Sequence, residues 1–190
     1  MGAAADSFFF PGDSAAGFAD MDVSLRFGLR QYRPAVLSLR LLFGLPTGNS
    51  EQANGLVTGD GEFNQMLMLE AGHSFYPRPF YVIGEIGVNN RTKNFSDEFR
   101  YGGEVGYTFL RNFTAIMRVN GVQSLRNGTD ESLGGMGGLY GNNVSYLALA
   151  PSLTYKIAGS LGITGGVDGA AFGENVLAAP TFSLGIFWAE

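Results

Sequence analysis

Apolar and polar side chains alternate along most of this chain with a period of two. In FRYGGEVGYTFL, Phe99, Tyr101, Gly103, Val105, Tyr107 and Phe109 share one parity, and Arg100, Gly102, Glu104, Gly106 and Thr108 share the other. An extended chain sends successive side chains to opposite sides, so this stretch predicts a strand with two unlike faces. MDVSLRFGL (21–29) sets Met21, Val23, Leu25, Phe27 and Leu29 against Asp22, Ser24, Arg26 and Gly28. AVLSLRLLFGL (35–45) behaves alike, with Arg40 and Ser38 on the less apolar side. The rhythm recurs nine times, over 18–29, 35–45, 63–75, 80–90, 98–109, 113–123, 143–156, 160–171 and 180–189. No segment carries a convincing 3.6-residue period, so the expectation is an all-β chain. It has an irregular N-terminal segment over 1–17 and one β domain over 18–190.

The connections alternate as well. Short ones near 30–34, 76–79, 110–112 and 157–160 are interleaved with longer Gly- and Asn-rich ones at 46–62, 89–97, 124–142 and 172–179. That order predicts an antiparallel up-and-down transmembrane β-barrel, with tight turns at one end and long loops at the other. Strands of ~11 residues, tilted near 40°, span roughly 27 Å, close to the apolar band such barrels present to lipid. Phe75, Phe80, Phe109, Phe113, Tyr155 and Trp188 fall near segment ends, where interfacial aromatic girdles belong.

Composition agrees. Gly accounts for 29 of 190 residues and Phe for 16, which favours short-turned β structure over helix. No uncharged apolar run approaches the ~18 residues of a membrane-spanning helix. A net charge of −5 leaves no basic footprint for nucleic acid, and cysteine is absent, so disulfide and thiol chemistry are excluded. Lys93 and Lys156 are the only lysines among 12 basic residues; the rest are arginine, the cation preferred in enclosed ion pairs.

The less apolar face collects Asp22, Arg26, Arg40, Glu70, Glu85, Arg100, Glu104, Arg118 and Asp168. Nearly balanced charge with arginine as the cation reads as an enclosed network lining a lumen. Centring the short turns sets Glu70 across from Glu85, and Glu104 across from Arg118. Like charges facing each other are unfavourable, so Arg100, brought beside Glu85 by the 89–97 loop, or another arginine is expected between the two glutamates.

Three stretches resemble Gram-negative outer-membrane barrels of the phenol-degradation meta-pathway (MetA-type) transporter family. GFADMDVSLRFGL (17–29) resembles that family's Gly-x-x-Asp-x-x-x-x-Leu-Arg-Tyr-like strand. LPTGN (45–49) is similar to its Leu-Pro-Thr-Gly-Asp exit, with Asn49 in place of Asp, and LVTGDGEFN (56–64) to its Gly-Thr-Gly-Asp entry, with Val57 in place of Gly. They fall within residues 17–64, about a quarter of the chain. TFSLGIFWAE (181–190) resembles a barrel-terminal strand, although Ala189 and Glu190 follow Trp188 where a terminal Phe is commoner. The resemblance implies outer-membrane localisation, contact with lipid and lipopolysaccharide, and passive passage of small hydrophobic or aromatic solutes. A plugged structural or surface-interaction barrel is the alternative, and a barrel enzyme the third.

Bacterial single-chain barrels usually have an even strand number. Nine segments, the first running toward a short turn, therefore predict one to three further N-terminal strands in a barrel of 10–12. The hydrophobic SFFFPG (7–12) is too short and Pro-interrupted to serve as one, and the N-terminus lacks the basic and apolar regions of a signal peptide.

Catalytic constellations are weak. His73, the single histidine, shares parity with Leu67, Leu69 and Phe75 while Ser74 points the other way, which predicts a ring at the lipid interface rather than a base beside a nucleophile. Facing Glu70 and Glu85 are expected to be neutralised structural charges rather than an acid–base pair. GGMGGLYG (134–141) does not fit a phosphate cradle, and GDGE (59–62) lacks calcium-loop spacing. No cofactor, metal or enzyme activity is expected, and the oligomeric state is left open.

Overall fold

Nine strands form where the alternation predicts them. The computed structural model describes residues 14–51, 56–129, 141–176 and 179–188. SFFFPG, the first thirteen residues of the expected irregular segment, and all but the last residue of GGMGGLYG lie outside the described residues. The strands are β1 (Met21–Tyr32), β2 (Ala35–Leu45), β3 (Asn64–Ser74), β4 (Phe80–Arg91), β5 (Glu98–Phe109), β6 (Phe113–Ser124), β7 (Ser145–Ala158), β8 (Leu161–Glu174) and β9 (Thr181–Trp188). They make one antiparallel up-and-down sheet in sequence order, without a helix among the described residues.

The sheet is not closed. β1 and β9 each pair on one side only, and both run in the same direction. β1 extends three residues past the expected end, because a register shift between Gly28 and Arg30 breaks the parity while Arg30, Gln31 and Tyr32 still pair with Leu37, Val36 and Ala35. A bulge of this kind inserts one residue, so the alternation that marks a strand lapses without the pairing being lost.

The cross-strand register separates the two faces. Side chains of one face, from Asn64 on β3 to Thr181 on β9, border a single cavity of about 450 Å³, and those from Arg26 on β1 to Arg118 on β6 border another of about 360 Å³. The sheet is therefore curled with the charged face concave. The convex face carries Leu25, Leu67, Ile86, Val105, Met117, Leu153, Ile163 and Leu184, all exposed, Leu184 at 87%. The buried apolar side chains of the strands belong to the long-loop half of the concave side, where Met68 is only 3% exposed beside Met66, Val122 and Ala148, and Phe95 is buried in the loop above them.

Aromatic pairs ring both rims of the convex face. At the short-turn end Phe75 meets Phe80 at 5.0 Å, Phe109 meets Phe113 at 5.7 Å, and Tyr155 lies 4.6 Å from Phe113. Near the long loops Phe99 stacks with Tyr101 at 5.9 Å and Phe43 with Phe63 at 6.1 Å. Several large rings lie over a glycine of the next strand: Tyr101 over Gly121, Tyr81 over Gly106, Phe187 over Gly162.

Candidate functional site

The concave face holds three ion-paired groups. In the first, Arg26 faces Arg40 across β1 and β2, and Glu70 faces Glu85 across β3 and β4. The like charges interleave. Glu70 forms ion pairs with both arginines at 2.7 Å, and Arg40 reaches on to Glu85 at 3.1 Å. The contact of Arg40 Nε with Glu70 is an ion pair without hydrogen-bond alignment, whereas its terminal nitrogen donates properly to Glu85. Glu85 also leans over Gly102, its direct partner on β5, where any side chain would meet the carboxylate.

The second group pairs Arg118 with Glu104, directly opposite on β6 and β5. Tyr81 donates its hydroxyl hydrogen to the other carboxylate oxygen of Glu104 at 2.6 Å, so both oxygens are engaged. These groups match the register expected from the short turns. Arg100 does not: it falls opposite Gly87 and turns to Glu98 at 2.7 Å, while Arg40 takes the position between Glu70 and Glu85. The reason is the connection between β4 and β5. It is only 92–97, with β4 one residue longer than expected and β5 starting at 98 as expected. This register sets Gly102 rather than Arg100 across from Glu85, leaving Arg100 two positions on and beside Glu98 of its own strand.

The third group surrounds Arg91, the last residue of β4, and the sequence reading did not single it out. Arg91 contacts Glu62, Glu98 at 2.9 Å and Asp60 at 3.7 Å, and its guanidinium stacks 4.4 Å above the Phe95 ring. Its side chain is 7% exposed, that of Glu62 0% and that of Glu98 4%. Asn89 donates to Glu98 at 3.2 Å. Parity was the available signal. Glu98 shares the Arg100 face, and one more residue on the fourth segment places Arg91 on the Glu85 face.

Burial pushes the Glu62 carboxyl up to about 7, against the pull of Arg91, and raises Asp60 as well. Glu62 Oε2 meets no N–H donor, and the proton that burial keeps on Glu62 bonds to the Asp60 carboxylate. Among the described residues no group of three or more His, Asp or Glu side chains is placed to hold a metal ion.

Loops fix this end. The Asp20 carboxylate accepts the amide hydrogens of Gly48 at 2.8 Å and Asp60 at 2.9 Å. Thr58 N donates to Asn49 O at 2.9 Å, and Asn49 N donates to the Thr58 hydroxyl at 2.9 Å. The three stretches that carry the family resemblance thus meet in space. A Cβ on Gly48 would sit 2.8 Å from Gly59 Cα, so the two backbones close on each other only without a side chain there. Across the sheet, Asp97 and Asn127 exchange a reciprocal pair of hydrogen bonds at 2.7 and 2.8 Å, linking the β4–β5 and β6–β7 loops. Donation from the Arg91 backbone amide and the Asn127 side chain holds the Asp97 carboxyl below its usual range.

Asp22 and Asp168 lie on the concave face by register, yet neither forms an ion pair with a described residue. Asp168 borders the 450 Å³ cavity. His73 packs edge-on against Phe75 at 4.6 Å, beside no nucleophile or acid. The geometry supplies fixed charge along the concave face, and among the described residues the single histidine stands beside no nucleophile. No protein-family model and no curated protein matches the chain.

Proposed function

We propose that this chain is the wall of an outer-membrane β-barrel that lets small hydrophobic or aromatic solutes pass passively along a charged lumen. One observation carries the proposal: the polarity of the fold is inverted relative to a water-soluble sheet. Large apolar side chains are exposed over the convex face from β1 to β9, while arginines and glutamates pair on the concave face. Exposed apolar area on this scale marks a surface made for a nonpolar surrounding. The aromatic rims support the same reading, since residues 99 to 109 of β5 reach about 25 Å along the membrane normal at a typical barrel tilt.

In that barrel the free edges of β1 and β9 pair with further strands. Their number is odd, because the two edges run in the same direction and every pair is antiparallel.

The second reading is a plugged barrel, favoured by the Arg91 group and the interlocked loops at one end. Planar-bilayer conductance of the refolded protein separates the two. Discrete conductance that changes in R118A or E104A supports passage, and silence from correctly folded protein supports the plug.

A further inference from the structure

We propose that the short-turn end of the convex face binds anionic phospholipid, with Arg30 as the seat of one headgroup phosphate. This goes beyond the solute-passage reading and rests on one part of it, that the convex face meets lipid.

Charge is divided between the two ends of the sheet. The segments at the short-turn end, 30–35, 74–80, 109–113 and 155–161, carry Arg30, Arg33, Arg78, Arg111 and Lys156 and not one acid. The four long connections, 46–63, 92–97, 125–144 and 175–180, hold six acids against two basic residues. Arg26, Arg40, Arg91, Arg100, Arg118 and Arg126 are all ion-paired. The four remaining arginines are those of the short-turn end. They and Lys156 are exposed, and none of the five forms an ion pair with a described residue.

Every short turn contributes to this rim. Adjacent strands lie ~4.8 Å apart, so successive turns follow one another at roughly 10 Å, about one Debye length, and their cations act together on an anionic surface. The aromatic pairs set their height. Phe75 and Phe80 flank Arg78, Phe109 and Phe113 flank Arg111, and Tyr155 precedes Lys156. Rings of this kind sit at the level of lipid headgroups, which brings the cations to the phosphates. Short turns face the periplasm in barrels of this type, where the leaflet is phospholipid rather than lipopolysaccharide.

Arg30 is aimed by the bulge in β1. As far as Gly28 the even-numbered residues of β1 face the concave side, but the register shift sets Arg30 opposite Leu37, on the convex face. There it borders a groove of about 510 Å³ lined by Tyr32, Ala35, Leu37, Ala71, His73 and Val82. A guanidinium fork matches a phosphate, and the apolar groove beside it suits the acyl chain that the phosphate carries. A free anion would leave the groove unused.

Quenching by brominated lipid tests this on the full chain. With the single tryptophan replaced in W188F, F75W puts a reporter beside the groove, since Phe75 packs on His73. Phosphatidylcholine bilayers are doped with equal fractions of brominated phosphatidylglycerol or brominated phosphatidylcholine. The anionic lipid is expected to show an apparent association constant at least about fivefold higher. R30Q/R33Q removes that preference while far-UV circular dichroism stays unchanged, and R126Q at the other end keeps it. Equal quenching by the two lipids, a preference that survives R30Q/R33Q, or one lost equally in R126Q overturns the proposal. Abolition of the preference by excess inorganic phosphate at matched ionic strength also overturns it, by assigning the site to a free anion. Quenching by neither lipid overturns the membrane reading. A protein that conducts but binds both lipids equally overturns only the lipid site, and one that prefers the anionic lipid but never conducts overturns only passage.

Discussion

Glu70 and Glu85 stand directly opposite one another on β3 and β4, two carboxylates in the position that normally repels. Arg40, one strand away, contacts both. The pair is therefore a demand for one particular arginine. R40Q is expected to destabilise the refolded protein by about 1–3 kcal/mol, since it strands charge on a half-buried face. R40Q/E85Q should recover much of that loss. Urea midpoints of the wild type, both single variants and the double variant measure the coupling, and simple additivity would show that Arg40 does not mediate between the acids.

Glu62 makes stability depend on pH in an unusual direction. Its carboxyl is raised from 4.5 to about 7, so the folded state holds a proton that the unfolded state releases. The groups facing it are Asp60 on its own loop, Arg91 on β4 and Glu98 on β5, with Asp20 beyond Asp60. The resulting stability is fully present below pH 4.5 and is lost as pH rises through about 7. Thermal midpoints of the wild type should fall across that window, and those of E62Q should fall less. Parallel profiles would remove Glu62 as the source.

Asp20 holds two loop stretches through two backbone amides. D20A should leave the strands intact and free the 46–63 connection, with a local cost of about 1–2 kcal/mol. Amide hydrogen exchange reads this directly: Gly48 and Asp60 should exchange faster while Leu69 on β3 does not. Unchanged protection at Gly48 would contradict the role.

Asp97 acts in the opposite pH sense from Glu62. Its carboxyl is lowered from 3.8, so its contribution is present above that value and is lost as pH falls through the lowered folded value. D97A should remove the link to Asn127 and speed tryptic cleavage at the neighbouring Arg126 at neutral pH. An unchanged cleavage rate would show that the two loops are held elsewhere.

The strands and their faces were legible because a curled sheet with unlike faces writes its period into the chain. Glu104 opposite Arg118 followed from centring a three-residue turn, since a tight turn leaves little freedom of register. Arg91 was not legible in the same way. It ends β4 at the edge of a loop, and its partners Asp60 and Glu62 come from a connection whose path depends on Asp20, Gly48 and Gly59. Loop paths of that kind are set by backbone hydrogen bonds, which leave no period to read. Of the arginines that could have stood between Glu70 and Glu85 it is Arg40 that does, because Arg100 falls two positions from the partner of Glu85 and has Glu98 nearer on the same face of its own strand.

The rings that lie over glycines act as checks on alignment. Tyr101 has Gly121 as its direct partner, and a slip of two residues, which preserves inside and outside, would bring it against Val119 or Gln123. Tyr81 would likewise leave Gly106 for Glu104 or Thr108. Alternation alone cannot tell such slipped pairings apart, since every even shift keeps each side chain on its proper face. Each ring has room at one glycine and a collision two residues to either side. The high glycine content therefore encodes which residue meets which, a second message carried beside the alternation that says which way each residue points.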